Sequence, residues 1–443
     1  MTENSMTTQE MIDLCLKHTL YSWSATGAVS PMPIERAEGV YLYGPDGQKW
    51  LDFNSQLMSV NIGHSHPKVV KAIQDQAASL IYAFPGSATK VRAQLGQRLA
   101  ELVPGDINTF FFVTGGAEAN ENAIKAARMY TGRFKILSRY RSYHGATNAC
   151  LQLTGDPRRL ANEPGSPGFI RVMDPSPYSY SFGTTEEEIT ANNLRYLEEI
   201  IMYEGPQTIA AMFIETVTGT NGILPPPRGY LQGLRALLDK YGILLVCDEV
   251  MSGWGRTGKL FAFEHAGILP DIVTMAKGLT SSYIPLGAMG MRDAIADHFR
   301  ENVFWGGLTY NSHPLCLATA LAAIDVLVGE GMVENAARLA PVQRAEMDRL
   351  KAKHPSVREG RCIGLFGMID VQKNSQGDRI AGYNETSPVM GEFLRYLLDN
   401  GVFTFVRWGS FMCNPPLCIT EEQLLEGYAV IDKALEITDA AME

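Results

Sequence analysis

The feature that most constrains this chain is an alternation of short apolar runs with longer helical stretches, which extends from about residue 65 to residue 315. The run FFFVTGG precedes AEANENAIKAARMYTG, IAAMFIET precedes YLQGLRALLDKYG, and ILLVCDEV is followed by DIVTMAK. This alternation predicts βα units around a mostly parallel sheet. Because the apolar runs are nearly continuous, helices should cover both faces of that sheet. The sequence therefore predicts an α/β fold.

The segments on either side of this region have a different character. The N-terminal part predicts a helix from Gln9 to Leu20, and GVYLYGPDGQKWLDFNS predicts a β-hairpin because apolar residues alternate on both sides of a Pro-Asp-Gly turn. After a long helical stretch, short strands and a final helix indicate a smaller α+β domain. We expect an N-terminal segment 1–64 that belongs to the small domain, a large domain 65–315, and a C-terminal small domain 316–443.

The composition argues against several classes of protein. The chain carries 38 Lys and Arg against 48 Asp and Glu, a formal net charge of −10, whereas nucleic-acid-binding proteins present a basic surface. No run of about 18 apolar residues indicates a membrane helix, and a secretory signal is not expected. The seven cysteines are scattered without a C-x-x-C pair, which argues against a zinc ribbon or a dithiol site. We expect a cytoplasmic protein without nucleic-acid or membrane partners.

Polar residues follow the predicted strands at their carboxyl ends, which is where open α/β sheets bind ligands. FFFVTGGAEA ends in Gly115 and Gly116 before a helix, where close backbone approach and free N–H groups favour an anion, although such a pair can also be only a turn. The run IAAMFIET carries Glu215 near its end, and LLVCDEV carries Asp248. These residues should meet at one edge of the sheet.

Lys277 follows the next apolar run, one strand–loop–strand unit after Asp248. A lysine there could simply extend its ammonium group to solvent. If it is buried instead, its pKa falls and it becomes a nucleophile. An aspartate that faces a pyridinium nitrogen would keep that nitrogen protonated and make the ring a better electron sink. An anion-binding helix start, such a carboxylate and a reactive lysine are together what pyridoxal phosphate requires.

Six stretches, in order along the chain, resemble the successive signatures of the class III aminotransferases: GGAEAN, SYHGAT, CDEVMSGWGRTG, TMAKGL, LTYNSHPL and NPPLCITEEQL. The resemblance extends from about Trp23 to Leu435. It implies a pyridoxal-phosphate enzyme of fold type I, with a large domain whose mostly parallel sheet is flanked by helices and a smaller α+β domain. It also implies a homodimer or higher homo-oligomer with shared active sites.

The resemblance implies catalytic roles for particular residues. Lys277 would hold the cofactor covalently and move the proton between the substrate carbon and the cofactor carbon. Asp248 would pair with the pyridine nitrogen. Tyr143 would stack on one face of the ring and Val250 would contact the other, while His144 would have a positional role beside Tyr143.

For the phosphate, the resemblance implies binding by Gly115, Gly116 and Ala117 at a helix N-terminus, and by Thr309 from the neighbouring subunit. The family usually has a hydroxyl residue where this chain has Ala117. Thr114 could supply that hydroxyl, or the backbone N–H groups could suffice.

For the substrate, the resemblance implies that Glu215 lies nearby and can pair with a mobile arginine, for which Arg407 is the candidate. Trp23 and Phe84 could belong to the core or could form walls of the substrate pocket.

Three other patterns have simpler explanations. His64 and His66 could form a metal pair, but GHSHP more plausibly opens a helix, so we predict no metal site. GRTGKL does not complete a phosphate-loop motif, because Leu260 follows Lys259. Glu249 should point away from Asp248 on its strand and find a structural partner in Arg256.

The leading hypothesis is an aminotransferase that moves an amino group from an omega-amino donor to 2-oxoglutarate or pyruvate. SATGAVSPMPIERAEGVY and TGGAEANENAIK are most similar to taurine aminotransferases, and a sulfonate or carboxylate tail would suit Arg407. Neighbouring branches use β-alanine, 4-aminobutyrate, diamines or aryl amines. Alternatives are a lyase, decarboxylase, racemase or aminomutase on the same fold, or an ATPase that binds magnesium through Asp248 and Glu249, against which the missing phosphate-loop lysine counts.

Overall fold

The computed structural model of this chain describes residues 6–443. In chain order its strands are β1 (Arg36–Glu38), β2 (Tyr41–Tyr43), β3 (Lys49–Asp52), β4 (Ile107–Val113), β5 (Lys135–Arg139), β6 (Phe169–Val172), β7 (Ile209–Glu215), β8 (Leu244–Asp248), β9 (Ile272–Met275), β10 (Gly287–Arg292), β11 (Val357–Ile363), β12 (Phe366–Val371), β13 (Val402–Phe403), β14 (Val406–Arg407) and β15 (Ser410–Cys413).

The helices are α1 (Thr8–His18), α2 (Ser55–Met58), α3 (Pro67–Ser79), α4 (Lys90–Leu102), α5 (Gly116–Thr131), α6 (Asn148–Leu153), α7 (Glu186–Glu204), α8 (Tyr230–Tyr241), α9 (Asp293–Glu301), α10 (Pro314–Gly329), α11 (Met332–Lys353), α12 (Pro388–Asp399) and α13 (Glu421–Ala440). Short 3-10 helices include Pro157–Asn162, Ala262–Ala266 and Lys277–Leu279. In the part of the chain that is described, no single helix is long and apolar enough to cross a membrane; α10 and α11 satisfy length and composition only together, across a 53° bend.

A seven-stranded sheet forms the centre of the molecule, in the order β4-β10-β9-β8-β7-β5-β6. The strands from β9 to β6 pair in parallel, whereas β10 pairs antiparallel with both β4 and β9. Every residue of β7 is buried, which explains why its sequence is continuously apolar rather than alternating. The predicted α/β fold with a mostly parallel sheet is confirmed.

Helices cover both faces of this sheet. Leu245 and Cys247 of β8 belong to the core on one face, together with Leu234 of α8. Val246 of the same strand packs on the opposite face with Ile124 of α5. This period of two follows from the alternating side-chain directions of a strand.

Two four-stranded sheets complete the fold, with the orders β1-β2-β3-β13 and β11-β12-β15-β14. The predicted hairpin is present, since β2 and β3 pair antiparallel with Leu42 opposite Trp50. β13 pairs in parallel with β3, so the first and last parts of the chain share a sheet. The residue boundaries of the large and small domains stay a prediction.

The other N-terminal expectations are met with small differences. Helix α1 ends two residues earlier than predicted, because Thr19 is extended with a φ of −130°. Helix α3 begins at Pro67, the last residue of GHSHP, so this stretch opens a helix as predicted. The two histidines before it have separate partners: His64 Nε2 lies 2.9 Å from Asp52, and His66 Nε2 lies 3.3 Å from Glu330.

The predicted ion pair between Glu249 and Arg256 is wrong. Glu249 is buried and accepts hydrogen bonds from the Ser252 hydroxyl (2.8 Å) and from the N–H groups of Ala262 (3.0 Å) and Phe263 (3.1 Å). The start of the 3-10 helix Ala262–Ala266 therefore takes the place of a cation, as helix N-termini can. Burial raises the pKa of Glu249 to about 7.

Arg256 binds other parts of the chain instead. Its Nη1 donates to the carbonyls of Leu365 (3.2 Å) and Pro415 (2.5 Å), and its Nη2 donates to the Ser55 hydroxyl (2.9 Å) and to Asn61 Oδ1 (3.0 Å). The fully buried guanidinium thus connects the loop after β8 to an N-terminal segment and to two C-terminal segments.

Candidate active site

A cavity of about 850 Å³ lies at the carboxyl ends of the parallel strands, a size that suits a small-molecule ligand. It is lined by Trp23, Gly115, Gly116, Ala117, Tyr143, His144, Glu215, Asp248, Val250, Lys277 and Arg407, among others. The structure therefore brings together all of the predicted site residues except Thr309 and Phe84.

Thr309 and Phe84 lie on the surface of the chain, away from the walls of this cavity. Phe84 is 74% exposed, and Thr309 is exposed as well. Their segments are joined by a hydrogen bond in which the Tyr82 hydroxyl donates to the Thr309 carbonyl at 2.9 Å. Contacts of these two residues with a cofactor or substrate would require a second subunit, so both roles stay predictions.

Asp248 is the last residue of β8 and is held by three donors. Its Oδ2 accepts from His144 Nδ1 and from Asn120 Nδ2, each at 2.8 Å, and its Oδ1 accepts from the Val250 N–H at 3.0 Å. Asn120 is itself oriented by the Thr274 hydroxyl, which donates to its Oδ1 at 2.8 Å. This network fixes the carboxylate and places His144 against Asp248; the positional role of His144 beside Tyr143 stays a prediction.

Lys277 follows β9 and lines the cavity, where it is half-buried. Burial lowers the pKa of Lys277 to about 8, while the negative charges of Asp248 and Glu215 oppose that shift. The backbone of Lys277 is left-handed, with a φ of 45°. Non-glycine residues adopt this conformation rarely and at a cost, often at functional sites. Lys277 is thus a half-buried lysine with a conformationally constrained backbone at the edge of the sheet.

The anion-binding helix start is also present. Helix α5 begins at Gly116, and no side chain caps it, so its first N–H groups are available to a ligand. A Cβ atom on Gly116 would lie 2.9 Å from the Val250 methyl carbons, so only glycine fits there. Thr114 is not a source of the missing hydroxyl donor, because its O–H and N–H both donate to Glu118. The backbone N–H groups remain as the donors.

Glu215 ends β7 and is buried next to Tyr143. Its Oε1 accepts from the Tyr143 N–H at 2.9 Å, and its Oε2 accepts from the Gly219 N–H at 2.8 Å. Burial raises the pKa of Glu215, and His144 opposes this shift. The predicted pairing of Glu215 with Arg407 is absent, because backbone donors occupy both carboxylate oxygens.

Arg407 pairs instead with Asp156, which is fully buried. Arg407 Nη2 donates to Asp156 Oδ2 at 3.0 Å, and Arg158 Nε donates to both oxygens of the same carboxylate, at 3.1 and 2.9 Å. The Arg158 guanidinium also lies 3.5 Å from the centroid of the Tyr143 ring and 5.3 Å from that of Trp23. Two guanidinium groups thus share one carboxylate, so this wall of the cavity carries a net positive charge.

Sequence reasoning missed Arg158, Asp156 and Asn120. Arg158 and Asp156 lie at the start of the 3-10 helix Pro157–Asn162, in a segment without an apolar strand or a motif to mark it. Asn120 could have been found, because it lies one helical turn after Gly116 on the first part of α5, where a side chain can reach back to the strand ends.

The residues of the cavity fit pyridoxal phosphate. Asp248 offers a fixed, buried carboxylate for a ring nitrogen, and Lys277 offers an amine of lowered pKa. Uncapped N–H groups at Gly116 and Ala117 offer donors for a phosphate. Each part of the cofactor therefore has a chemically matched group in one cavity.

Comparisons with known proteins point in the same direction. A family model described as Aminotransferase class-III matches residues 23–435. A probable aminotransferase of Mycobacterium tuberculosis is 36% identical, with 84% of this chain and 81% of that protein covered. Gamma-aminobutyrate transaminase 1 of Oryza sativa is 32% identical, with coverages of 94% and 83%. The structure of taurine:2-oxoglutarate aminotransferase from Bifidobacterium kashiwanohense, in complex with PLP and glutamate, is 39% identical, covers 99% of both chains and has a TM-score of 0.95.

Proposed function

This chain belongs to the class III aminotransferases, which use pyridoxal phosphate, and we propose that it moves an amino group from an omega-amino donor with a short anionic tail to 2-oxoglutarate or pyruvate. Taurine and β-alanine are donors of this kind. The observation that carries the proposal is the pair of guanidinium groups, Arg158 and Arg407, in the cavity that contains Lys277. Planar guanidinium forks match sulfonate and carboxylate oxygens.

When bound, pyridoxal phosphate supplies the electron sink that stabilises negative charge on the substrate carbon. In the proposed mechanism Lys277 Nζ holds the cofactor and then moves a proton at that carbon, for which a pKa of about 8 is suitable near neutral pH. The Asp248 carboxylate, oriented by His144 and Asn120, would keep the ring nitrogen of the bound cofactor protonated. The N–H groups at the start of α5 bind the phosphate.

Arg158 and Arg407 would orient the anionic end of each substrate. In the free chain Asp156 satisfies part of both guanidinium groups and keeps them in the wall of the cavity. A substrate anion would bind the remaining donors or would exchange with Asp156 at Arg407. Because the same arginines can serve a sulfonate, a distal carboxylate or the carboxylate of a 2-oxo acid, one pocket can accept the donor and then the acceptor.

The relatives include a 4-aminobutyrate transaminase by name as well as a taurine aminotransferase, so the donor must be measured. Single half-reactions of the holoenzyme provide the test. Taurine, β-alanine, 4-aminobutyrate, putrescine and 1-phenylethylamine are each mixed with the enzyme, and conversion of the bound cofactor to its amine form is followed by visible absorbance. We expect taurine and β-alanine to react fastest and putrescine to react poorly. If neither taurine nor β-alanine converts the bound cofactor to its amine form, the proposal is refuted.

We further propose a cytoplasmic homodimer in which Thr309 of one subunit completes the phosphate site of the other. Its support is that Thr309, Phe84 and Trp305 are exposed on the surface of a single chain, Trp305 to 75%, and that Thr309 does not line the cavity of its own chain. Light scattering would give the assembly mass. A Thr309→Val variant should retain the dimer and bind the cofactor more weakly; a purely monomeric active enzyme would contradict the proposal.

A further inference from the structure

A second cavity, of about 630 Å³, lies beside the carboxyl ends of β5 and β6 and against the sheet of β11 and β12. None of its lining residues lines the catalytic cavity. The aromatic rings of Tyr178, Tyr383 and Trp408 lie between the two, with centroids 5.5 Å apart for Tyr178 and Tyr383 and 4.7 Å apart for Tyr383 and Trp408. The second cavity is therefore a separate space with its own chemistry.

Four arginines line this cavity: Arg141, Arg358, Arg361 and Arg379. Three carboxylates face these arginines: Glu359 and Asp378 in the wall of the cavity, and Asp370 beneath it. A fourth carboxylate, Asp174, accepts from the Arg141 backbone N–H but is not counted, because it lies 3.6 Å from a separate arginine, Arg139. Four guanidinium charges thus meet three carboxylates. The cavity keeps a net positive charge after its own ion pairs are counted.

Two of the arginines bind chiefly to the protein itself. Arg361 makes five hydrogen bonds, one for each of its N–H donors, to Gly222, Glu359 and Asp370. Arg141 donates from Nη1 to Ser176 (2.9 Å) and from Nη2 to Asn221 (2.5 Å). These bonds have a structural purpose, because they hold strands and loops together.

The other two arginines have donors to spare. Arg379 makes one hydrogen bond, from Nη1 to Asp370 at 3.0 Å, and its guanidinium stacks 4.4 Å from the Tyr178 ring centroid. The Arg358 guanidinium makes no hydrogen bond to any residue between 6 and 443, and its Nη1 lies 4.0 Å from Asp370. A structural ion-pair network would not need a partly buried arginine without a hydrogen bond. Guanidinium donors that are free on the lining of a positively charged cavity suit an anionic ligand.

We propose that this second cavity is a binding site for a small multivalent oxyanion, recognised chiefly by Arg358 and Arg379. Carboxylates and phosphates share the planar or tetrahedral oxygen edges that a guanidinium fork binds in a bidentate manner. Two classes of ligand offer such oxygen edges, namely polycarboxylates and phosphate compounds. The site does not depend on the identity of the amino donor.

The test is calorimetric titration of the holoenzyme with citrate and, separately, with pyrophosphate. Saturable binding of citrate, of pyrophosphate or of both is expected, and the compound that binds with the lower Kd identifies the class of the ligand. The double variant Arg358→Gln/Arg379→Gln should weaken binding by about tenfold or more, as expected for lost charge-assisted hydrogen bonds. Arg395→Gln, an exposed arginine on α12, is the matched control and should bind normally.

Two further variants keep the test decisive. Arg358→Gln alone removes no hydrogen bond from the fold, so it should keep the circular dichroism and transaminase activity of the wild type while still weakening anion binding. Arg158→Gln/Arg407→Gln removes the arginines of the catalytic cavity and should leave this binding intact. Absence of saturable binding up to about 10 mM anion, unchanged binding in the Arg358→Gln/Arg379→Gln variant, or loss of binding only in Arg158→Gln/Arg407→Gln would overturn the proposal.

Discussion

The role of Arg158 in recognising an anionic substrate can be tested with Arg158→Met, which keeps an unbranched apolar side chain and removes the guanidinium. In the structure that group bonds both oxygens of Asp156, donates to Thr220 at 2.9 Å and stacks on Tyr143 at 3.5 Å. Its loss leaves Asp156 paired with Arg407 at 3.0 Å, so the buried carboxylate keeps a cation. We therefore expect a folded protein.

The expected magnitude follows from these contacts. A hydrogen bond between a charged donor and an anionic substrate contributes about 1.5–3 kcal/mol, which corresponds to a roughly 10- to 150-fold loss in kcat/KM. The loss should apply to taurine and to 2-oxoglutarate, which carry anionic groups. An aryl amine such as 1-phenylethylamine has no anionic group and makes no such bond, so its kcat/KM should change by about twofold or less.

The assay measures kcat/KM for taurine and for 1-phenylethylamine with one 2-oxo acid, and single half-reactions separate the donor step from the acceptor step. Arg159→Met is the matched control, because Arg159 is the next residue of the same 3-10 helix, does not line the catalytic cavity and pairs with Glu163. Arg159→Met should keep both activities. Equal losses for both amines in Arg158→Met, or no loss for taurine, would refute the reasoning.

Three further predictions concern the cofactor and the fold. Lys277→Ala should lose the visible absorbance of the covalently held cofactor and all turnover, and wild-type absorbance and turnover in this variant would contradict the assignment. Asp248→Asn should keep bound cofactor but react roughly 100-fold more slowly or worse, because a neutral amide no longer stabilises the protonated ring nitrogen. The folded-state pKa of Glu249 is raised from 4.5 to about 7, so this residue adds stability at low pH that is lost as the pH rises between those values. The stability advantage of the wild type over Glu249→Gln in urea unfolding should accordingly shrink by about 3 kcal/mol between pH 5 and pH 8, and a constant difference would show that Glu249 is ionised throughout. Arg256→Met should destabilise the protein by roughly 1–3 kcal/mol or more, because two carbonyls and two polar side chains lose a buried donor, against about 0.5 kcal/mol or less for the exposed Arg395→Met.

Much of the fold and the centre of the site could be predicted because the relevant signals are local. The alternation of apolar runs with helical stretches indicates parallel strands, and the residues that follow those strands must converge on one edge of the sheet. Lys277, Asp248, Glu215 and Gly116 each lie at such a strand end or helix start, and all four line the same cavity. Their convergence follows from the topology and requires no knowledge of side-chain packing.

Only the tertiary structure decided the pairing of charges. Arg407 meets Asp156 rather than Glu215, and Glu249 meets the start of a 3-10 helix rather than Arg256. Partners such as Arg407 and Asp156 are 251 positions apart in the chain, and no periodicity encodes a contact at that separation. The Arg358 and Arg379 cavity has the same origin, since it forms where a loop after β6 approaches the sheet of β11 and β12. Local sequence determines which residues reach the edge of the sheet, whereas packing of distant segments determines which charges they meet there.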